Sequence, residues 1–272
     1  MGIIIENPGI LTTVQDEGRF GSQQFGVSPA GPMDTQSFYI ANILVGNRMG
    51  EGAIEMTFQG PTVRFEKDII IAITGGDLSP TLNGQPAPMY QALLVHAGDV
   101  LAFGVGTTNG CRGYLAFAGG LDVPLVMGSK STLLRNQLGG VQGRKLEKGD
   151  VIGFANPKTT LPNMGLRKLE PEVFPKGELT LRVVTGPQDS DFTKSELKKF
   201  FWYGAKITNE FDRMGCRLER DEPLHHKGDG NIITDGIAFG SIQVPTNGSR
   251  RPSGLRKAIL LYNSLVSSPR IL

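Results

Sequence analysis

Ile69-Ile70-Ile71-Ala72-Ile73, followed by Thr74-Gly75-Gly76-Asp77, is the longest apolar run in the sequence, and its reading decides the fold class. A short apolar segment rich in β-branched residues and closed by glycines is a strand signal. It falls far below the roughly 20 residues that cross a bilayer. The same pattern recurs at Gly2–Glu6, Thr62–Phe65, Ala92–His96, Val100–Phe103, Tyr114–Ala118, Leu179–Thr185 and Ile237–Val244, each bounded by Gly, Pro, Asp or Asn. Asn83-Gly84, Ala97-Gly98-Asp99 and Lys148-Gly149-Asp150 read as turns between such strands. The 37 Gly and 17 Pro among 272 residues suit many short strands better than long helices. Helical pattern appears twice. Met33–Val45 follows Pro32, offers Asp34 as an N-cap and lines Phe38, Ala41, Ile43, Leu44 and Val45 along an apolar side. Ser190–Phe201 sets Phe192, Leu197, Phe200 and Phe201 against outward lysines. The expectation is a mostly β chain with a few helices, closest to closed or nearly closed barrels.

A chain of this length buries about three quarters of its unfolded surface and needs neither disulfide nor metal to fold. The four prolines of Asn156–Gly177 mark the best linker candidate and divide residues 1–160 from 176–272. A weak echo links the halves, Ile71-Ala72-Ile73-Thr74-Gly75 against Arg182-Val183-Val184-Thr185-Gly186. The formal net charge of +2 does not suggest a nucleic-acid or membrane-surface binder. That balance hides an asymmetry: after Asp235 the chain carries Arg250, Arg251, Arg256, Lys257 and Arg270 and no acid. Cys111 and Cys216 alone neither make a disulfide scaffold nor complete a zinc site. The start Met1-Gly2-Ile3 has no signal-peptide pattern, so a cytoplasmic location is expected.

The richest segment is Thr12-Thr13-Val14-Gln15-Asp16-Glu17-Gly18-Arg19 with Gly26-Val27-Ser28-Pro29-Ala30-Gly31-Pro32-Met33-Asp34. Glycines and prolines fix such a backbone, and Gln15, Asp16, Arg19 and Asp34 supply an amide, carboxylates and a guanidinium. They either recognise a small polar acid or amide, or form a turn with an internal Asp–Arg pair. Glu55, in apolar strand context, is either paired with an arginine or suited to proton transfer. Thr74-Gly75-Gly76-Asp77 and Ala118-Gly119-Gly120-Leu121-Asp122 let a backbone approach a ligand, or simply turn the chain. Gly128-Ser129-Lys130-Ser131-Thr132 fails the phosphate-loop pattern, because no glycine stands before Lys130, but leaves an anion-binding loop open. Gly104–Gly110 fails the dinucleotide fingerprint. His225 and His226 would face opposite sides of a strand, and no metal spacing or Ser-His-Asp arrangement is read.

In order and spacing, the Thr13–Arg19 and Gly26–Asp34 segments and Ala41-Asn42-Ile43-Leu44-Val45-Gly46-Asn47 resemble one family. Its members are known as C-type subunits of 5-oxoprolinase, biotin-dependent carboxyltransferase subunits, or allophanate hydrolase subunit 2. Tyr114–Pro124, Met127–Thr132, Arg213-Met214-Gly215 and Gly240–Gly248 extend the likeness to about residues 2–248. The resemblance implies cyclophilin-like β-barrel domains. It also implies a B-type partner that shares the active-site region, and a further, A-type partner. The leading activity implied is ATP-dependent opening of 5-oxo-L-proline to L-glutamate, with ATP belonging to the complex. Two alternatives are implied: a carboxyltransferase component of a biotin-dependent, urea-type carboxylase, and a non-catalytic antagonist of a sporulation-kinase inhibitor. No lysine here resembles a biotin-attachment motif, so biotin would arrive on another protein. Carried onto this chain, Asp16, Arg19 and Asp34 are the catalytic candidates, with Arg19 suited to a substrate carboxylate. Gln15, Glu55, Arg213 and Gln243 are the substrate-binding candidates. After Asn247-Gly248 the family's Gln-Thr-Thr-Gly-Gly-Tyr-Pro stretch is replaced by Ser249-Arg250-Arg251-Pro252, so an incomplete second domain and a frame change or truncation near residue 249 are expected.

Overall fold

The computed structural model describes residues 2–106, 110–171, 180–211, 213, 215–228, 240–244 and 255–261. The chain divides into two compact units, Met1–Leu179 and Thr180–Leu272. In chain order the first unit opens with β1 (Gly2–Asn7), β2 (Leu11–Gln15) and helix α1 (Thr35–Leu44). It continues with β3 (Ala53–Thr57), β4 (Thr62–Phe65), β5 (Ile69–Gly75), β6 (Thr81–Leu82) and β7 (Gln85–Pro86). It closes with β8 (Ala92–Val95), β9 (Val100–Ala102), β10 (Arg112–Phe117), β11 (Leu121–Asp122) and β12 (Val151–Phe154).

The strands form two sheets, ordered β11-β12-β1-β4-β9-β6-β7 and β2-β3-β10-β5-β8. Mostly β with a few helices is what the strand signals led one to expect. The barrels are not: among the described residues neither sheet closes on itself, and the first ends in two-residue strands too short to carry a ladder round. Instead the inner faces share one core. Ile69, Ile71 and Ile73 of β5 and Leu115 and Phe117 of β10 meet Ile3, Ile5, Val63, Phe65 and Leu101 of the other sheet. The intervening residues of the same strands, Ile70, Ala72, Tyr114 and Ala116, point to the opposite face and meet Phe38, Ala41 and Leu44 of α1. β5 is therefore buried along its whole length. Alanines 53, 72, 116 and 118 keep this outer face low enough for α1 to lie against it.

α1 begins two residues later than its sequence pattern suggested, because Asp34 serves as its cap: the carboxylate accepts from the Ser37 amide at 3.0 Å. Residues 156–169 of the proline-rich stretch are fastened to the first unit. Lys158 O accepts from Ile70 N, and the Arg167 guanidinium donates to Ile43 O and Leu44 O at the end of α1.

The second unit contains α2 (Lys194–Trp202), β13 (Lys206–Phe211), β14 (Gly215–Leu224), β15 (Ile242–Gln243) and β16 (Leu255–Leu261). Its strands are ordered β13-β14-β16-β15. Arg220 on β14 donates to the carbonyls of Lys199, Phe200 and Tyr203, satisfying the last turn of α2. The strand expected at Leu179–Thr185 is absent over residues 180–185, so the Thr-Gly echo does not correspond to a repeated strand end; Leu179 lies outside the described residues. Residues 237–239 of the expected Ile237–Val244 strand lie outside them as well. So do 249–254 and 262–272 of the divergent tail, while Leu255–Leu261 pairs antiparallel with β14 and β15. Among the described residues no helix is long and apolar enough to cross a membrane.

Candidate functional site

The outer face of the five-stranded sheet carries a polar row through its apolar surface. Register places Thr13 of β2 beside Glu55 of β3, Glu55 beside Tyr114 of β10, and Tyr114 beside Thr74 of β5. Glu55 and Tyr114 are 1% and 0% exposed. Polar groups so deep must be paired, and these are. The Tyr114 hydroxyl donates to Glu55 Oε2 at 2.8 Å and accepts from Asp34 N at 2.8 Å. Glu55 Oε2 also accepts from Met33 N at 2.8 Å, and Glu55 Oε1 lies 3.6 Å from Arg112 Nη1. Burial, followed by the nearby Asp34 charge, raises the Tyr114 phenol far above its ordinary value, so it stays protonated as a donor. Of the two readings open for Glu55, the structure shows the arginine pair.

Gln15 closes the same loop from the other side. Its carbonyl accepts from Gly31 N at 3.1 Å, while its amide donates to Thr13 Oγ1 and to Thr132 O. The Gly26–Asp34 segment is thus held at Gly31, Met33 and Asp34 by side chains from β2, β3 and β10.

Asp16 performs the corresponding task for residues 126–132. Its Oδ1 accepts from Ser129 Oγ at 2.5 Å, Ser131 Oγ at 2.6 Å and Gly18 N at 2.9 Å, and its Oδ2 from Lys130 N at 2.6 Å. Lys130 turns away, donating to Glu51 and to Leu121 O. The Gly128–Thr132 loop does hold an anion, and that anion is the chain's own Asp16. Arg19, 1% exposed, donates through Nε to Val126 O and through Nη2 to Ser131 O. Its Nη1 has no hydrogen-bond partner among the described residues. Burial lowers the Arg19 pKa, and the Asp16 charge opposes that shift.

The structure therefore brings Gln15, Asp16, Arg19, Asp34 and Glu55 into one hydrogen-bonded assembly in the first unit. Arg213 and Gln243 belong to the second unit. Burial pushes Arg213 down to about 10, and Gln243 is exposed on β15. In the Gly-Gly turns, Gly119 has φ +88° and a Cβ there would overlap the Asn156 carbonyl oxygen, a Cβ on Gly75 would overlap the Arg112 carbonyl oxygen, and Gly120 packs against the Glu51 side chain.

Several partners escaped the sequence reading. Register sets Tyr114 and Thr13 beside Glu55 and Thr74 beside Tyr114, while Arg112 reaches Glu55 from its place opposite Thr57 and Ser131 meets Asp16 from a loop. Asn42 and Asn47 are also structural. Asn42 donates to Met49 O and Glu51 O, and Asn47 to Phe117 O, stitching the end of α1 to β10. Among the described residues no group of three His, Cys, Asp or Glu side chains is placed to hold a metal.

A two-layer β core with α1 on its outer face, and two loops locked to that face by buried polar groups, can be set beside known proteins. Residues 25–250 match the carboxyltransferase domain, subdomain A and B, and the chain belongs to that family. It is 35% identical to the C-type subunit of 5-oxoprolinase from Escherichia coli over 241 residues, which are 88% of this chain and 75% of that one. It is 39% identical to the urea amidolyase of Lachancea kluyveri over 238 residues, 83% of this chain. The chain spans only 13% of that relative's length. Among solved structures, the K. lactis urea amidolyase superposes with a TM-score of 0.80 at 31% identity, covering 97% of this chain and 16% of that one. TTHA0988 superposes with a TM-score of 0.73 at 31% identity, covering 97% and 49%.

Proposed function

We propose that this chain is the C-type component of an ATP-dependent 5-oxoprolinase, acting with B-type and A-type partners to open 5-oxo-L-proline to L-glutamate. The observation that carries the reading is the extent of the match to the E. coli C-type protein. A name given to a chain of which 75% is matched describes the matched part, whereas one given to a chain matched over 13% describes mostly other segments. The chemistry is compatible with the site. Lactam opening develops charge on a carbonyl oxygen, and the substrate carries a carboxylate; both are acceptors for a buried guanidinium N–H such as Arg19 Nη1. In this reading ATP belongs to the complex, and the complex works in the cytoplasm.

The 39% identity to a urea amidolyase and the family to which residues 25–250 belong favour a second reading, a carboxyltransferase component served by biotin on another protein. Substrate-dependent ATP turnover by the reconstituted complex separates the two. The first reading predicts turnover with 5-oxo-L-proline and none with urea. Turnover with urea, bicarbonate and a biotin carrier, and none with 5-oxo-L-proline, establishes the second.

A further inference from the structure

The Gly128–Thr132 loop has the donors of an anion site, and they are spent on a residue of the same chain. Ser129 Oγ, Ser131 Oγ, Lys130 N and Gly18 N converge on the Asp16 carboxylate, which is 8% exposed. A carboxylate offers about four lone-pair positions, two on each oxygen; three donors crowd Oδ1 and the Lys130 amide takes Oδ2, so the carboxylate is turned into the loop with one position on Oδ2 to spare. A group that transfers protons must reach the substrate, and Asp16 instead reaches the loop. Residues 126–132 in turn supply both carbonyls that grip Arg19, Val126 O and Ser131 O. Gly139 completes the grip: a Cβ there would overlap Ser131 O and crowd Arg19 Nη2. Two of the three guanidinium nitrogens are held in this way. The third, Nη1, is buried without a partner among the described residues, an arrangement that a bound acceptor would satisfy. Lysine, with three donors on a freely rotating ammonium and no planar fork, would not fix the direction of its remaining N–H as the guanidinium does.

We propose that Asp16 is a positioning residue: it fills the loop's anion cradle from within and thereby fixes Arg19 so that Nη1 meets an oxyanion of the substrate. The first half stands on the hydrogen bonds alone. The second rests on the 5-oxoprolinase reading.

The test uses the Asp16→Ala, Asp16→Asn and Ser129→Ala/Ser131→Ala variants and their Asp16→Ala combination, with formate as the probe. On the isolated full chain, hydrogen exchange at Lys130 N and Gly140 N reports the loop. Protection is expected to fall in Asp16→Ala and in the serine double variant. Formate, a carboxylate small enough for the vacated cradle, is expected to restore it in the former and to leave the wild type unchanged. In the reconstituted complex, kcat/KM for 5-oxo-L-proline is expected to fall at least tenfold in each variant, mainly through KM. Their combination should be no worse than either, because both remove one clamp. The pH profile should keep its shape, and formate should recover Asp16→Ala. Asp16→Asn, which keeps the side chain's shape, guards against a general folding defect: it should remain folded and lose the loop protection.

Near-wild-type turnover in the serine double variant beside an inactive Asp16→Ala, or the loss of one limb of the pH profile, would overturn the positioning role. Unchanged loop protection in Asp16→Ala would overturn the clamp itself. Should the wild-type complex release no glutamate, the functional reading fails, while the exchange data still decide the clamp.

Discussion

Tyr114→Phe removes one oxygen atom from the centre of the polar row, and its effect can be worked from the contacts. The ring keeps its place, including the edge contact with Phe38 at 6.0 Å between centroids, so no cavity forms beyond the hydroxyl itself. The change deletes a hydrogen bond to the buried Glu55 carboxylate and leaves Asp34 N–H without its acceptor. A bond to a charged group contributes about 1.5–3 kcal/mol, and an orphaned buried donor costs about 1–3 kcal/mol. Glu55 Oε2 retains the Met33 amide, which softens the first loss. The expected destabilisation is about 3 kcal/mol, on the order of a hundredfold in the folding equilibrium of the first unit. Fluorescence would be blind to it, because Trp202, the single tryptophan, lies in the second unit. Native-state hydrogen exchange resolves it: amides of β3, β5 and β10 report the global opening, and the Asp34 amide reports the local one. Loss of less than about 1 kcal/mol in the strands, with unchanged protection at Asp34, would refute the claim that the row is a set of paired, water-excluded bonds.

Other consequences can be checked on the same protein. Asp34→Asn should preserve both the stability of α1 and the turnover of the complex, since asparagine caps as well as aspartate, whereas Asp34→Ala should cost about 1 kcal/mol in urea unfolding. Inactivity of a folded Asp34→Asn would instead mark an acid–base role. Gly119→Ala forces a side chain at φ +88° into the Asn156 carbonyl and should lower thermal stability by more than about 3 kcal/mol. The bidentate pair with Arg144 holds the Asp150 carboxyl below its ordinary value of 3.8, so its contribution to stability is present above that pH and is lost as pH falls further. Asp150→Asn should flatten the acid limb of a stability–pH curve; an unchanged limb would exclude this pair as its source.

The strand pattern was legible wherever a segment carries its burial in its composition. Ile69–Gly75 is buried on both faces and reads as a continuous apolar run, and Thr62–Phe65 is the same in sequence and structure. Leu11–Gln15 and Gly215–Leu224 were harder. Their polar residues are accommodated by cross-strand and loop partners that no local pattern shows, such as Gln15 with Gly31 and Arg220 with the end of α2. Closure was illegible for a related reason: whether two sheets join into a barrel depends on edge strands of two residues, too short to leave a periodicity. Asp34 was readable as a cap because capping is local. Asp16 stands out in the sequence as a polar residue among glycines, but its contacts depend on Ser129 and Ser131, more than a hundred positions away. The same holds for Glu55, whose fate was decided by Tyr114 and Arg112 across the register.

In the proposed role this chain is a necessary component of a 5-oxoprolinase. The most direct test is glutamate release from 5-oxo-L-proline and ATP, catalysed by the B-type and A-type partners with and without the chain. The proposed role predicts release that depends on the chain and falls to background when it is withheld. Equal release in its absence would contradict it.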